Sequence, residues 1–121
     1  MANTNIHHIT HNGQQLPLCF NMNTWLRFCR LRGIEKFSEA QTLVMASAAD
    51  MDNISNLETC LQMFWCAFAE GHAKENKPFT LQVDDMADAQ LLKAAADLFV
   101  QANVPTYNAT EDGKTAKKGN A

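Results

Sequence analysis

The sequence predicts a mainly α fold: a small helical domain of four to five helices preceded by a short N-terminal β-hairpin. Three observations carry this expectation. Apolar residues recur at helical spacing in successive stretches along the chain. Most of those stretches begin at a capping pattern and end at a glycine or proline. The strongest hairpin signal, Asn12-Gly13, lies near the start, between two runs of strand-like character. At 121 residues the chain is expected to form one domain and to bury roughly two-thirds of the surface its unfolded form exposes. That domain is placed at 1–104. Residues 105–121, TYNATEDGKTAKKGNA after Pro105, have one aromatic and no apolar period, and are read as a disordered C-terminal tail.

In order, residues 6–11 are expected to pair with 14–20 across a type I′ turn, because both central positions of that turn need positive φ. Pro17 cannot donate to a ladder, so its strand should be an edge or be paired irregularly there. Asn21 or Asn23 then caps a helix over about 24–32, with Met22, Trp25, Leu26, Phe28 and Cys29 turned inward. Gly33 ends it, and Ile34 can fold back on Cys29 as in a Schellman stop. Ser38 with Gln41 forms a capping box for a helix to about residue 49, whose apolar positions are Ala40, Leu43, Val44, Met45 and Ala48.

The stretch 54–71, ISNLETCLQMFWCAFAEG, is the centre of the expected fold. Ser55 and Glu58 read as its capping box and Gly71 as its stop. Leu57, Leu61, Phe64 and Phe68 form one apolar stripe, opposite Glu58, Thr59 and Gln62. From Met63 to Ala69 no residue is polar, so this half of the helix must be enclosed on every side or docked to another chain. Beyond the polar link HAKENKP, residues 79–82 are read as extended. Val83, Asp84 and Asp85 are read as opening a last helix that runs to Asn103 through Leu91, Leu92, Ala95, Leu98, Phe99 and Ala102.

Composition narrows the function classes. The net charge of −3 argues against a general nucleic-acid binder. The capped helix pair around 50–53 has an acidic link, and its second helix starts Asn56, Leu57, Glu58, which does not suit a DNA reader. Arg27, Arg30, Arg32 and Lys36 are explained by the preference of cations for a helix C-terminus, with a patch for an acidic partner as the alternative. Cys19, Cys29, Cys60 and Cys66 form no CxxC pair and are expected to be buried, reduced thiols. His7, His8 and His11 lack the further ligands a zinc site needs. Asp84, Asp85 and Asp88 are better read as helix-start acidity than as a metal or acid/base site, because adjacent helical residues diverge by about 100°. His72 with Cys66 is the best catalytic pair on offer, and it has no third member. No cofactor, metal or catalytic residue is expected. There is no signal-peptide pattern and no apolar run near the ~20 residues that span a bilayer, so a cytoplasmic setting is expected.

The order of segments resembles the tail assembly chaperones of long-tailed, siphophage-like bacteriophages and prophages. In that family a short strand region leads into a helix with a Phe-Asn start, then Leu, Phe and a closing Gly, here Phe20-Asn21, Leu26, Phe28 and Gly33. A Trp- or Tyr-containing helix then ends in A-x-x-x-G, here Ala67 and Gly71. An extended F-x-L-x-V-x-D-hydrophobic segment follows, matched by Phe79, Leu81, Val83, Asp85 and Met86. The resemblance covers about residues 16–98, and the final helix follows no pattern of the family.

The resemblance implies a non-enzymatic protein of the host cytoplasm that binds the tape measure protein. It would keep that long helical chain soluble during tail tube assembly, with the tail tube protein as a further partner, and be absent from the mature virion. Trp65, Met63, Phe68 and Met86 are the expected partner-binding residues, with Met45 as a further adaptable contact. A homo-oligomer would equally hide the surplus apolar surface. In this family a longer product often arises by ribosomal frameshifting near the end of the gene, which would make 105–121 a junction to a second domain. The alternative is a structural helical subunit of a phage or mobile-element particle.

Overall fold

The computed structural model describes residues 6–103. The expected tail, 105–121, and its reading as a junction lie outside the described residues. Strands β1 (Ile6–His11) and β2 (Gln14–Cys19) form an antiparallel hairpin, with His11 opposite Gln14 and Ile6 opposite Cys19. Asn12 and Gly13 have φ of 52° and 79°, the pair of left-handed residues a type I′ turn requires. Counting from the closing pair, Pro17 opposite His8 falls at a position whose backbone N faces away from β1, so its missing N–H costs no ladder bond. The second strand ends at Cys19, one residue short of the expected Phe20.

Helix α1 (Met22–Arg32) is capped by Asn21, whose side chain accepts the Thr24 N–H while Thr24 Oγ1 accepts the Asn21 N–H. Gly33, at φ 70°, closes it, and the Ile34 N–H reaches the Cys29 carbonyl at 2.9 Å, the six-to-one bond of a Schellman stop. Trp25, Phe28 and Cys29 are buried as expected, but Met22 and Leu26 are not: they lie on the outward face. An apolar stripe wider than the available core leaves its margin in solvent.

Helix α2 (Phe37–Ala48) has its cap at Lys36, two residues before the expected cap Ser38, with no side-chain hydrogen bond there. Phe37 meets the Trp25 ring edge-on at 5.6 Å, a tertiary contact that sets this start where a local cap does not. Ala40 and Val44 are buried; Met45 is exposed. Helix α3 (Ile54–Lys74) likewise begins before Ser55, with Asn53 Oδ1 accepting the Asn56 N–H at 3.1 Å. The Asn56 side chain also donates to the Asp50 carbonyl, which closes the α2–α3 turn.

Gly71 does not stop α3. Its φ is not left-handed, and a Cβ built there would sit 2.5 Å from Leu18 Cα and N and from the Pro17 carbonyl carbon. Gly71 is needed because β2 crosses the helix at that point, closer than any side chain permits. The helix ends later, at Lys74; beyond the cap Glu75, Asn76 is left-handed at φ 56°, the Lys77 N–H reaches the His72 carbonyl, and Pro78 prevents resumption.

The expected last helix is two elements. A 3₁₀ turn, Val83–Met86, has Asp85 accepting the Gln82 N–H; after a break at Ala87, Asp88 accepts the N–H groups of Gln90 and Leu91 at the head of α4 (Ala89–Asn103). Each aspartate satisfies backbone donors of its own short start, so the acidic run makes two beginnings instead of one. The described residues thus form four α-helices, a 3₁₀ turn and one hairpin, the mainly α architecture that the sequence predicts.

Helix α3 is the axis of the core. It packs against β2, α1, α2, α4 and the 3₁₀ turn. Phe20, Phe64 and Phe99 pack mutually at centroid distances of 5.4 to 6.0 Å, with Trp25 6.4 Å from Phe99, so α4 closes the core that α1 and α3 begin.

Candidate contact surfaces

Of the four residues expected to meet a partner, three are placed elsewhere. Met63, Phe68 and Met86 have no exposed surface and belong to the chain's own core. The correction has a physical reason: the run from Met63 to Ala69 is enclosed by β2, the other helices and the 3₁₀ turn, so the chain itself covers an all-round apolar half-helix. Trp65 is half-buried. Its Nε1–H donates to the Leu81 carbonyl at 2.9 Å and its ring lies 5.4 Å from Phe79, which pins the extended 79–82 segment across α3. The Phe79 ring also lies 5.0 Å from that of buried His72, tilted by 53°, and His72 Nδ1 lies 2.7 Å from the Phe68 carbonyl.

The Phe-Asn start of α1 and the Ala67/Gly71 end of the apolar run come together through Glu70. This carboxylate is almost fully buried, and it accepts Asn21 Nδ2 at 3.0 Å, Arg27 Nε at 3.1 Å and Asn23 Nδ2 at 3.3 Å, with Lys74 Nζ 4.0 Å away. Burial alone pushes the Glu70 carboxyl up. The hydrogen bonds from Asn21, Arg27 and Asn23 and the Arg27 charge outweigh it, and hold the carboxyl below its ordinary value. Asn21 therefore caps α1 with its oxygen and ties the same helix to α3 with its nitrogen.

Two of the histidines weighed in the sequence have acidic partners. Glu75 accepts from His8 at 2.7 Å, while His11 Nε2 lies 3.6 Å from Asp88. Among the described residues no group of three or more His, Cys, Asp or Glu is arranged to hold a metal. All four cysteines are buried and unpaired in disulfides. Burial pushes the Cys66 thiol up to about 12 and the Cys60 thiol to about 11, far from a reactive thiolate. Among the described residues no helix is long and apolar enough to cross a membrane.

The surface that sequence reasoning missed lies on α1. Met22 is 57% exposed, Leu26 40% and Phe37 38%. With Cys29, Ile34 and the side chains of Arg30 and Glu35, they line a cleft of about 420 Å³ where α1 meets the start of α2. The legible signal was that α1 carries more apolar positions than one core face accommodates: Met22 and Leu26 lie four apart, beside the buried pair Trp25 and Phe28.

No protein-family model, curated protein or solved structure matches the chain.

Proposed function

We propose that this chain is a non-enzymatic tail assembly chaperone of a long-tailed phage or prophage, which holds the tape measure protein in solution while the tail tube forms around it. One observation carries the reading. The residues that bear the resemblance form a single connected unit: Phe20-Asn21 caps α1 onto Glu70, Gly71 admits β2, and Trp65 holds the Phe79–Leu81 strap. Residues far apart in sequence are joined through one helix, as a family of contact proteins with a common scaffold would require.

The non-enzymatic part is supported by the absorption of the strongest polar candidates into structure. Glu70 is neutralised by its partners, and Cys66 is held as a thiol. The scene of action is the host cytoplasm, with the chaperone leaving before the virion matures. It acts as a homo-oligomer, and contact with the tail tube protein belongs to the same reading.

Co-expression tests this. A tape measure protein encoded beside this gene should be soluble with the chain and insoluble without it, and the chain should be missing from purified virions. If the virions contain it stoichiometrically, the chain is a structural subunit and the chaperone reading falls.

A further inference from the structure

We propose that the strap, residues 78–81, is a lid on α3: it opens as a unit between fixed ends and bares Trp65 and His72 while the helices stay folded. The inference stands apart from the function proposed above. Both ends of the strap are tied. On one side the Lys77 N–H meets the His72 carbonyl at 2.9 Å, next to left-handed Asn76. On the other, the Gln82 N–H donates to the Asp85 carboxylate, the Asp85 N–H donates to the Gln82 carbonyl, and Met86 is fully buried. Between these ends the hold is slight. None of Pro78, Phe79, Thr80 and Leu81 is buried, whereas on α3 every residue from Met63 to His72 except Trp65 is. Among the described residues the strap makes one hydrogen bond, in which the Leu81 carbonyl accepts from Trp65 Nε1–H. A cleft of about 470 Å³, lined by Leu81 with His11, Leu16 and Leu91, leaves one flank of the strap open.

What lies under the strap also favours opening. Phe79 packs against the rings of both Trp65 and His72, at 5.4 and 5.0 Å. These two residues are two helical turns apart on one face of α3, so a single side chain covers both. His72 is 6% exposed, and while its Nδ1 meets the Phe68 carbonyl, its Nε2 has no hydrogen-bond partner among the described residues. A buried nitrogen without a partner costs free energy that opening returns, because water then reaches it. Trp65 Nε1–H exchanges the Leu81 carbonyl for water at little net cost. The closed strap therefore rests on the partial burial of Phe79 and Leu81, which puts it at the low-stability end of the molecule.

Hydrogen exchange on the full chain, followed by NMR of the indole and backbone N–H groups, tests the lid. Relative to its intrinsic rate, Trp65 Nε1–H should exchange at least about tenfold faster than the backbone N–H groups of Phe64 to Phe68. Phe79→Ala should speed the Trp65 exchange by a similar factor and leave those backbone groups unchanged. His72→Phe keeps a ring against Phe79 and removes the unpartnered nitrogen, so it should slow the Trp65 exchange; circular dichroism checks that each variant is folded. Protection of Trp65 Nε1–H equal to that of the α3 backbone would mean that the strap opens only when the whole core does. Acceleration of the α3 backbone in Phe79→Ala to the same extent as Trp65 would make the strap an inseparable part of that core. A Trp65 rate moved by neither variant would show that the indole is reached without any opening. Each of these three results overturns the proposal.

Discussion

Phe68 and Leu26 are both large apolar residues on helices of this chain, yet Phe68 is fully buried and Leu26 is 40% exposed. Read from the sequence, the run around Phe68 carries the excess of apolar surface, and α1 looks like an ordinary amphipathic helix. The structure reverses the two. The α3 run is surrounded by the other elements, so its all-round apolarity is used inside the molecule. Helix α1 packs through Trp25 and Phe28 and leaves Met22 and Leu26 outside. Local density of apolar residues measures how much surface needs covering; it does not say which element supplies the cover.

The largest expected effect lies on the covered side. Phe68→Asp places a carboxylate with no partner in a site of zero exposure, at a cost of several kcal/mol. The variant should be unfolded or aggregated by circular dichroism and sedimentation. A folded Phe68→Asp that merely changed oligomeric state would put Phe68 at an interface and undo the contrast with Leu26.

Gly71→Ala comes next, and here two effects oppose each other. Alanine in place of a mid-helix glycine gains up to about 1 kcal/mol in helix propensity. The added Cβ would lie 2.5 Å from backbone atoms of Pro17 and Leu18, which cannot swing aside as a flexible side chain would. Overpacking of this kind costs about 1–3 kcal/mol or more, so we expect a net loss and a melting temperature lower by about 5–15 °C. A rise in melting temperature would show that β2 does not cross α3 so closely.

Glu70→Gln tests the polar joint between the two helices. Hydrogen bonds to a charged group contribute about 1.5–3 kcal/mol, and the lower end is expected here because Arg27 is substantially solvent-accessible. The folded-state pKa of Glu70 lies below its unfolded value. Its stabilising effect is therefore fully present above the ordinary carboxylate range, near about pH 4.3, and is lost as pH falls through the lower folded value. Melting curves from neutral to acid pH should show the intact chain and Glu70→Gln converging on the acid side. A constant gap would mean that the charge of Glu70 is not what matters.

The smallest effect is expected outside. Ile54→Ser and Met45→Ser alter exposed positions and should leave stability within about 0.5 kcal/mol in chemical denaturation. A larger loss in either would show cover over α2 or the start of α3 that the isolated chain does not contain.

Much of the fold was legible because its signals are local. Asn12-Gly13 dictates a hairpin by backbone sterics alone, and Gly33 closes α1 for the same reason. Where a signal admitted two readings, packing chose between them. Gly71 has the look of a helix stop, but it is a gap through which a strand passes. Ser38 and Ser55 begin plausible capping boxes, yet α2 starts earlier, where Phe37 reaches Trp25, and α3 starts where Asn53 caps it. Of the candidate site, Trp65 alone keeps part of its surface, and its indole binds the chain's own strap. Met22, Leu26 and Phe37 went unnoticed as a surface, since nothing in periodicity distinguishes the centre of an apolar stripe from its margin.

The sequence by itself determined the helical class, the hairpin turn, the position and stop of α1 and the reduced, buried character expected of its cysteines, because each follows from the chemistry of neighbouring residues. Only the tertiary structure decided that Met63, Phe68 and Met86 are core, that Glu70 joins α1 to α3, and that the exposed apolar cleft lies on α1. These depend on which elements meet in space, and a buried residue and an exposed one of the same type differ only in what lies on the other side.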